Sequence, residues 1–188
     1  MEEIVLYIDT CTKYMCVGLS IGDKLVYKKQ YDAFKRQSEV AALEIASCLK
    51  ESNVKAKDLN KIVVTNGPGS YTGIRIGLTL AKVMAKILNI KLVCLSSLET
   101  MCGLNDLCAI IDARSERVYF AKYSNGNCVV SDCIKCINEL DLNEVYVGDT
   151  KVINKEEKEI DIIYNMFCLR NKEEVRDIDK VKAIYLKD

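Results

Sequence analysis

Four of the chain's nine glycines and its only proline fall in one short segment, Gly67-Pro68-Gly69-Ser70-Tyr71-Thr72-Gly73-Ile74-Arg75-Ile76-Gly77. The preceding Ile62-Val63-Val64-Thr65-Asn66 is short, β-branched and apolar, whereas Thr72 to Leu88 carries apolar residues at helical spacing, so the segment joins a strand to a helix through a tight turn. Glycines at such a turn let backbone amides come close to an anion or a partner. A phosphate-binding P-loop would need a Lys-Ser/Thr pair after the second spaced glycine, and none is there. The spacing is also wrong for a dinucleotide fingerprint, and no acidic residue closes a following strand at the expected distance. Gly67, Pro68, Gly69 and Gly73 therefore read as a structural loop, with direct phosphate contact as the competing reading.

The rest of the chain reads as a mixed α/β sheet begun twice. Ile4 to Asp9 is a buried strand, and Cys16 to Ile21 with Lys24 to Tyr31 forms a hairpin around Gly22-Asp23. A helix from Ser38, its N-cap, to Lys50 comes next, then a strand at Ile62 to Thr65, the helix at Thr72 to Leu88 and a strand at Lys91 to Leu95. Ala109-Ile110-Ile111-Asp112 then repeats the strand that ends in Asp9, and Val118 to Tyr123 with Cys128 to Val130 flank Asn125-Gly126-Asn127 as a second hairpin. This predicts two half-copies, residues 1–100 and 101–188, the second abbreviated. Beyond Asn138, Glu144 to Val147, Ile160 to Ile163 and Ala183 to Leu186 read as strands, and the charged Lys151 to Glu159 run as a solvated surface segment.

Composition removes several classes of function. At 188 residues and 49% hydrophobic, the chain can bury a real core. Its 27 basic residues match its 27 acidic ones, so it has no global field to gather nucleic acid or anionic membrane unaided. The ten cysteines sit mostly in apolar runs, which suits a reducing cytoplasm, and neither a signal sequence nor a membrane-length apolar stretch is evident. Histidine is absent altogether, which excludes Ser-His and Cys-His nucleophile pairs, His-metal sites and imidazole acid/base chemistry. Ser70 and Ser96 thus lack a base. Cys133-Ile134-Lys135-Cys136 is a single pair without the second pair that a zinc site needs. No catalytic and no metal residue is assigned.

A three-stranded opening repeated with an aspartate at the end of each first strand resembles the ribonuclease-H-like sheet pair of sugar kinases, actin and Hsp70 chaperones (the ASKHA fold). That likeness implies a nucleotide cleft lined by Asp9, Thr10, Thr12 and Asp112; alternatively, each aspartate caps a tight turn. More specifically, Ile8-Asp9-Thr10-Cys11-Thr12, the Gly67 to Gly77 segment, Leu95-Ser96-Ser97-Leu98-Glu99 and Ile111-Asp112-Ala113-Arg114, in this order, resemble the bacterial TsaB (YeaZ) family over residues 4–124, with an echo in Tyr185-Leu186-Lys187. The resemblance implies a non-catalytic accessory subunit in threonylcarbamoylation of the adenosine next to the anticodon of tRNA. Its partners would be the catalytic TsaD-type paralogue, which holds the metal, and a TsaE-type ATPase. It would form a homodimer when alone and meet tRNA only through the complex, with no tightly bound cofactor and at most weak ATP or ADP with magnesium at a subunit boundary. Family members carry His-Ser-Glu at the start of the first helix; this chain has Gln37-Ser38-Glu39, so that histidine's role does not transfer. An independent small ATPase or kinase using Asp9 and Asp112 is the alternative.

Helix patterning points the same way. Gly73, Gly77, Ala81 and Ala85 recur every four residues as a stripe that another helix could approach closely, and Ile76, Leu80, Val83 and Ile87 form a separate large apolar row. Val40 and Leu43 on the first helix lie apart from the Ala42, Ile45 and Leu49 row. These patterns predict that Val40, Leu43, Gly73, Gly77, Ala81 and Ala85 meet a second subunit, unless the two helices merely pack on each other and on the sheet.

Overall fold

The computed structural model describes residues 2–33 and 35–186. Lys187, the last residue of the tail motif, lies outside them. A first sheet is built from β1 (Ile4–Asp9), β2 (Tyr14–Ile21), β3 (Lys24–Asp32), β4 (Lys61–Thr65) and β5 (Lys91–Leu95), in the order β3-β2-β1-β4-β5. The β1 to β3 meander is antiparallel, whereas β4 and β5 run parallel to β1. The parallel strands are joined through α1 (Gln37–Glu51) and α2 (Tyr71–Leu88). A second sheet repeats the start of this plan: β6 (Leu107–Arg114), β7 (Arg117–Ser124), β8 (Asn127–Cys136) and β9 (Tyr146–Gly148) lie in the order β8-β7-β6-β9, with β9 parallel to β6. Two short helices, α3 (Ser97–Cys102) and α4 (Ile162–Cys168), complete the fold.

Alternation along the strands sets the layers. In β1, Leu6 and Ile8 face the core shared with Ala41, Ile45, Leu78, Ala81 and Ala85 of α1 and α2. Val5 and Tyr7 face the opposite way, into a core with Ala109, Ala121 and Tyr123 of the second sheet and with α3 and α4. The order is therefore α1/α2, first sheet, α3/α4, second sheet. The outer face of the second sheet, including Ile110 and Phe120, is covered by Leu140, Ile153 and their neighbours rather than by a long helix. Burying each large aliphatic side chain contributes roughly 1.5–3 kcal/mol. Among the described residues no helix is long and apolar enough to cross a membrane.

Several expectations are corrected. Helix α1 begins at Gln37, one residue before Ser38, and its N-cap position, Arg36, makes no side-chain cap. Ile160 to Ile163 does not form a strand: Asp161 accepts a hydrogen bond from the Tyr164 amide at 3.0 Å and starts α4, whose Ile162, Ile163 and Met166 are buried. The Glu144 to Val147 strand becomes β9, shifted toward Gly148. Ala183 to Leu186 pairs with no sheet. The Lys151 to Glu159 run is only partly solvated, because Ile153 is buried and Glu157 meets both Lys13 and Lys151 at 3.4 Å.

Candidate functional site

The C-terminal ends of β1 and β6 open onto one cleft of about 840 Å³. Cys11, Thr12 and Lys13 line it from the first sheet, Asp112, Arg114 and Asp149 from the second, and Gly69, Ser70 and Thr72 from the glycine loop. Thr12 and Asp112 thus lie where the sequence predicts. Asp9 and Thr10 do not, and this is a correction. The Asp9 carboxylate is 1% exposed and accepts hydrogen bonds from the Thr65 hydroxyl and, at 3.1 Å, from the Cys11 amide. Its burial pushes the carboxyl pKa above the ordinary range, against the opposing pull of the Thr65 hydrogen bond. Thr10 Oγ1 donates to Gly73 O at 2.6 Å and accepts from Gly77 N at 3.1 Å, stitching β1 to the first turns of α2.

Asp112 is engaged in its own turn. Its Oδ1 accepts from Arg114 N at 2.8 Å and its Oδ2 stands 3.3 Å from the Arg114 guanidinium. Its amide donates at 2.9 Å to Asp149, a residue that sequence reasoning missed and whose pKa burial raises. The carboxylate pair that an independent ATPase or kinase would use is therefore divided, one member inside the sheet and the other beside Arg114. The residues present do not fit a magnesium nucleotide held between Asp9 and Asp112. Gln37, in place of the family's histidine, is buried and donates at 3.0 Å to Thr12 O, so it shapes the cleft wall.

The glycine loop serves backbone packing. A side chain at Gly69, where φ is +152°, would run into Cys11 O, and one at Gly73 would run into Thr10 O. The amides that a phosphate cradle would need are used internally: Ser70 N donates to Cys11 O at 2.7 Å, Gly73 N to Ser70 Oγ at 3.2 Å and Ile74 N to Ser70 O at 2.9 Å. Gly67 and Pro68 share a cis peptide bond. Ser70 and Ser96 both cap helices, α2 and α3 respectively. Cys133 and Cys136 project from opposite faces of β8, being three residues apart in a regular stretch of strand.

The two docking stripes are exchanged relative to expectation. Gly73, Gly77, Ala81 and Ala85 are buried against the sheet, and Ala81 and Ala85 are 0% exposed. The small residues are needed because α2 lies close on β1 and β4, with Gly73 and Gly77 touching Thr10. The large row faces outward instead: Val83 is 49% and Ile87 77% exposed, with Ile76 and Leu80 half-buried. On α1, Leu43 is 66% exposed and Val40 half-buried. Between the helices runs a groove of about 470 Å³ lined by Ala42, Tyr71, Arg75, Ile76, Thr79 and Leu80, among others.

Comparison with known proteins fits this architecture. The family model for TsaD, tRNA N6-adenosine threonylcarbamoyltransferase, matches residues 31–164. The chain is 33% identical over 170 residues to the tRNA threonylcarbamoyladenosine biosynthesis protein TsaB of Bacillus subtilis, covering 81% of this chain and 73% of that one. It is 32% identical over 127 residues to the protein of the same name from Escherichia coli, covering 63% of this chain and 54% of that one. Among solved structures, YeaZ from Pseudomonas aeruginosa superposes with a TM-score of 0.80 at 17% identity, covering 98% of this chain and all (100%) of that one. A protein from the same organism described as similar to peptidase YEAZ superposes at 0.83 and 18% identity, with the same coverage. The fold is the duplicated ribonuclease-H-like, ASKHA-type α/β architecture with an abbreviated second sheet, and the chain belongs to the TsaB (YeaZ) family.

Proposed function

We propose that this chain serves threonylcarbamoyladenosine formation in tRNA as a non-catalytic subunit that pairs with the TsaD-type paralogue through the outer face of α1 and α2. The observation that carries the reading is the exposed Val83 and Ile87, which extend along α2 the row of Ile76 and Leu80 that lines the groove, with the exposed Leu43 next to the groove residue Ala42 on α1. Scattered surface apolar residues need no explanation, but a row continuous with a groove is the form that interfaces take. The relatives' names supply the process. The catalytic paralogue holds the chemistry, a TsaE-type ATPase joins the pair, and tRNA is reached through the complex, in keeping with a chain of zero net charge. An independent ATPase or kinase would need Asp9 in the cleft, and its burial argues against that alternative. Residues 1–100 supply the docking helices in this reading and residues 101–188 the shortened second lobe.

The test is light scattering on a sizing column with the chain alone and mixed with the TsaD-type paralogue of the same genome, followed by reconstituted tRNA modification. A heterocomplex, and modification that needs both chains, is the expected result. Two separately eluting folded proteins would overturn it.

A further inference from the structure

The groove between α1 and α2 ends at Tyr71 and Arg75, and both are held by a segment from far along the chain. Residues 173–186 run as a strap from β5 along one side of α2, with Val175, Ile178, Val181 and Ala183 packed against the core beneath. Val175 N donates to Leu92 O at 2.8 Å, Lys82 Nζ donates to Val181 O at 2.9 Å, and Lys86 Nζ meets Asp179 at 2.5 Å. The strap then crosses the glycine loop, where Ile184 N donates to Asn66 O at 2.7 Å and Ile184 O occupies the space that a side chain on Gly67 would need. This crossing sets the Tyr185 ring 5.2 Å from that of Tyr71 and lets the Tyr185 hydroxyl accept from Arg75 Nε at 3.0 Å. The Arg75 guanidinium lies 3.9 Å over the Tyr71 ring. Arg75 has no carboxylate partner among the described residues.

Resting on the docking reading above, we propose that Arg75 is the polar anchor of the interface, a guanidinium preset by Tyr71 and Tyr185 to receive a carboxylate from an apolar helix of the TsaD-type paralogue. With Nε committed to Tyr185 and one face over Tyr71, the two terminal nitrogens meet no carboxylate among the described residues and form a planar fork of the kind that binds one in bidentate fashion. Because the side chain is already ordered, less rotamer entropy is lost on binding. The neighbouring apolar groove removes water from the pair once the helix is seated. Tyr185 acts through Arg75 and is a positioning residue; lysine at position 75 could supply the charge but not the fork.

The test is calorimetric titration of the full chain with the paralogue at low and high salt, beside thermal melts of each variant alone. Arg75→Ala should weaken binding by about tenfold or more and flatten its salt dependence. Arg75→Lys should recover little of that loss. Tyr185→Ala should cost about threefold to tenfold, and Tyr185→Phe, which keeps the ring, less. The melting temperatures of the isolated variants should stay near that of the wild type, since Arg75 is exposed. A wild-type chain that binds the paralogue while Arg75→Ala binds equally well overturns this inference alone. A wild-type chain that fails to bind, or that associates only with itself, overturns the docking reading and this inference with it.

Discussion

At the scale of single residues, the side chains that look like nucleotide ligands in the sequence hold the fold together. Asp9 sits at the end of β1, where its carboxyl gathers Thr65 and the Cys11 amide in a site closed to solvent. Burial raises its pKa, so the folded state holds this proton to a higher pH than the unfolded chain does. The stability it contributes is then fully present below the ordinary carboxylate pKa and is lost as pH rises through the raised folded value. Asp9→Asn should remove that loss: thermal melts from about pH 4 to pH 8 should fall less steeply than for the wild type, with the variant equal or higher in melting temperature at neutral pH. A variant that melts lower than the wild type throughout would mean that the ionised carboxylate is the stabilising species. Thr10 makes a separate prediction. Thr10→Val keeps the shape but leaves Gly73 O and Gly77 N without their hydroxyl partner. The expected cost is about 1–3 kcal/mol in urea denaturation, with the slope unchanged.

At the scale of elements, most strands and both long helices were legible because their periodicity is strong: β1 is a near-continuous apolar run, and α2 carries two complete apolar rows. Misreadings arose where a local pattern left the tertiary partner open. Ile160-Asp161-Ile162-Ile163 has β-branched residues that suit a strand, yet Asp161 caps a helix whose isoleucines enter the core between the sheets. The stripe from Gly73 to Ala85 requires close approach, but the sequence does not say to what, and the partner is the chain's own sheet. Likewise Asp9 and Asp112 occupy matching strand ends, and only the side-chain environments separate a buried carboxyl from one at the cleft. Asp149 gave no signal beyond its place after a short strand, and Gln37, marked in the sequence only as standing where the family has histidine, gave none of its hydrogen bond to Thr12. The two rows of α2 now make opposite predictions. Ala81→Arg places a charge in a fully buried position against the sheet and should abolish cooperative folding. Leu43→Glu with Val83→Glu lies on the exposed face, so each change should alter stability by only about 0.5 kcal/mol or less. The pair should nevertheless abolish association with the paralogue on a sizing column, and a double variant that still elutes as the heterocomplex would remove this face from the interface.

At the scale of the whole molecule, the repeat visible in the sequence does not divide the protein into two separately closed cores. The central core draws Val5, Tyr7, Val63 and Val93 from the first sheet and Ala109, Ile111, Ala121 and Tyr123 from the second, with Leu98 of α3 and Met166 of α4 between them. Helix α4 follows the second sheet in the chain but clasps the first: Gln30 Nε2 donates to Ile160 O at 2.6 Å, Gln30 Oε1 accepts from Ile162 N at 3.0 Å, and Lys28 meets Asp161 at 2.6 Å. Asn165 then ties α4 to α3 through Thr100 O at 2.8 Å. Residues 1–100 alone would therefore leave the α4-facing side of the first sheet, including Tyr7 and Val63, open to water. The burial that offsets the entropy of ordering would be missing on that side, since net stability is a small difference between large terms. The full chain should unfold in one transition, with circular dichroism and tyrosine fluorescence coincident, there being no tryptophan to follow. The fragment 1–100 should bind a hydrophobic dye and lose the sharp transition, and adding a peptide of residues 158–170 in trans should restore part of it by covering the exposed face. A fragment that unfolds as sharply as the full chain, without dye binding, would show instead that the α1/α2 layer suffices to hold the first sheet, and the shared core would then join two lobes that fold independently.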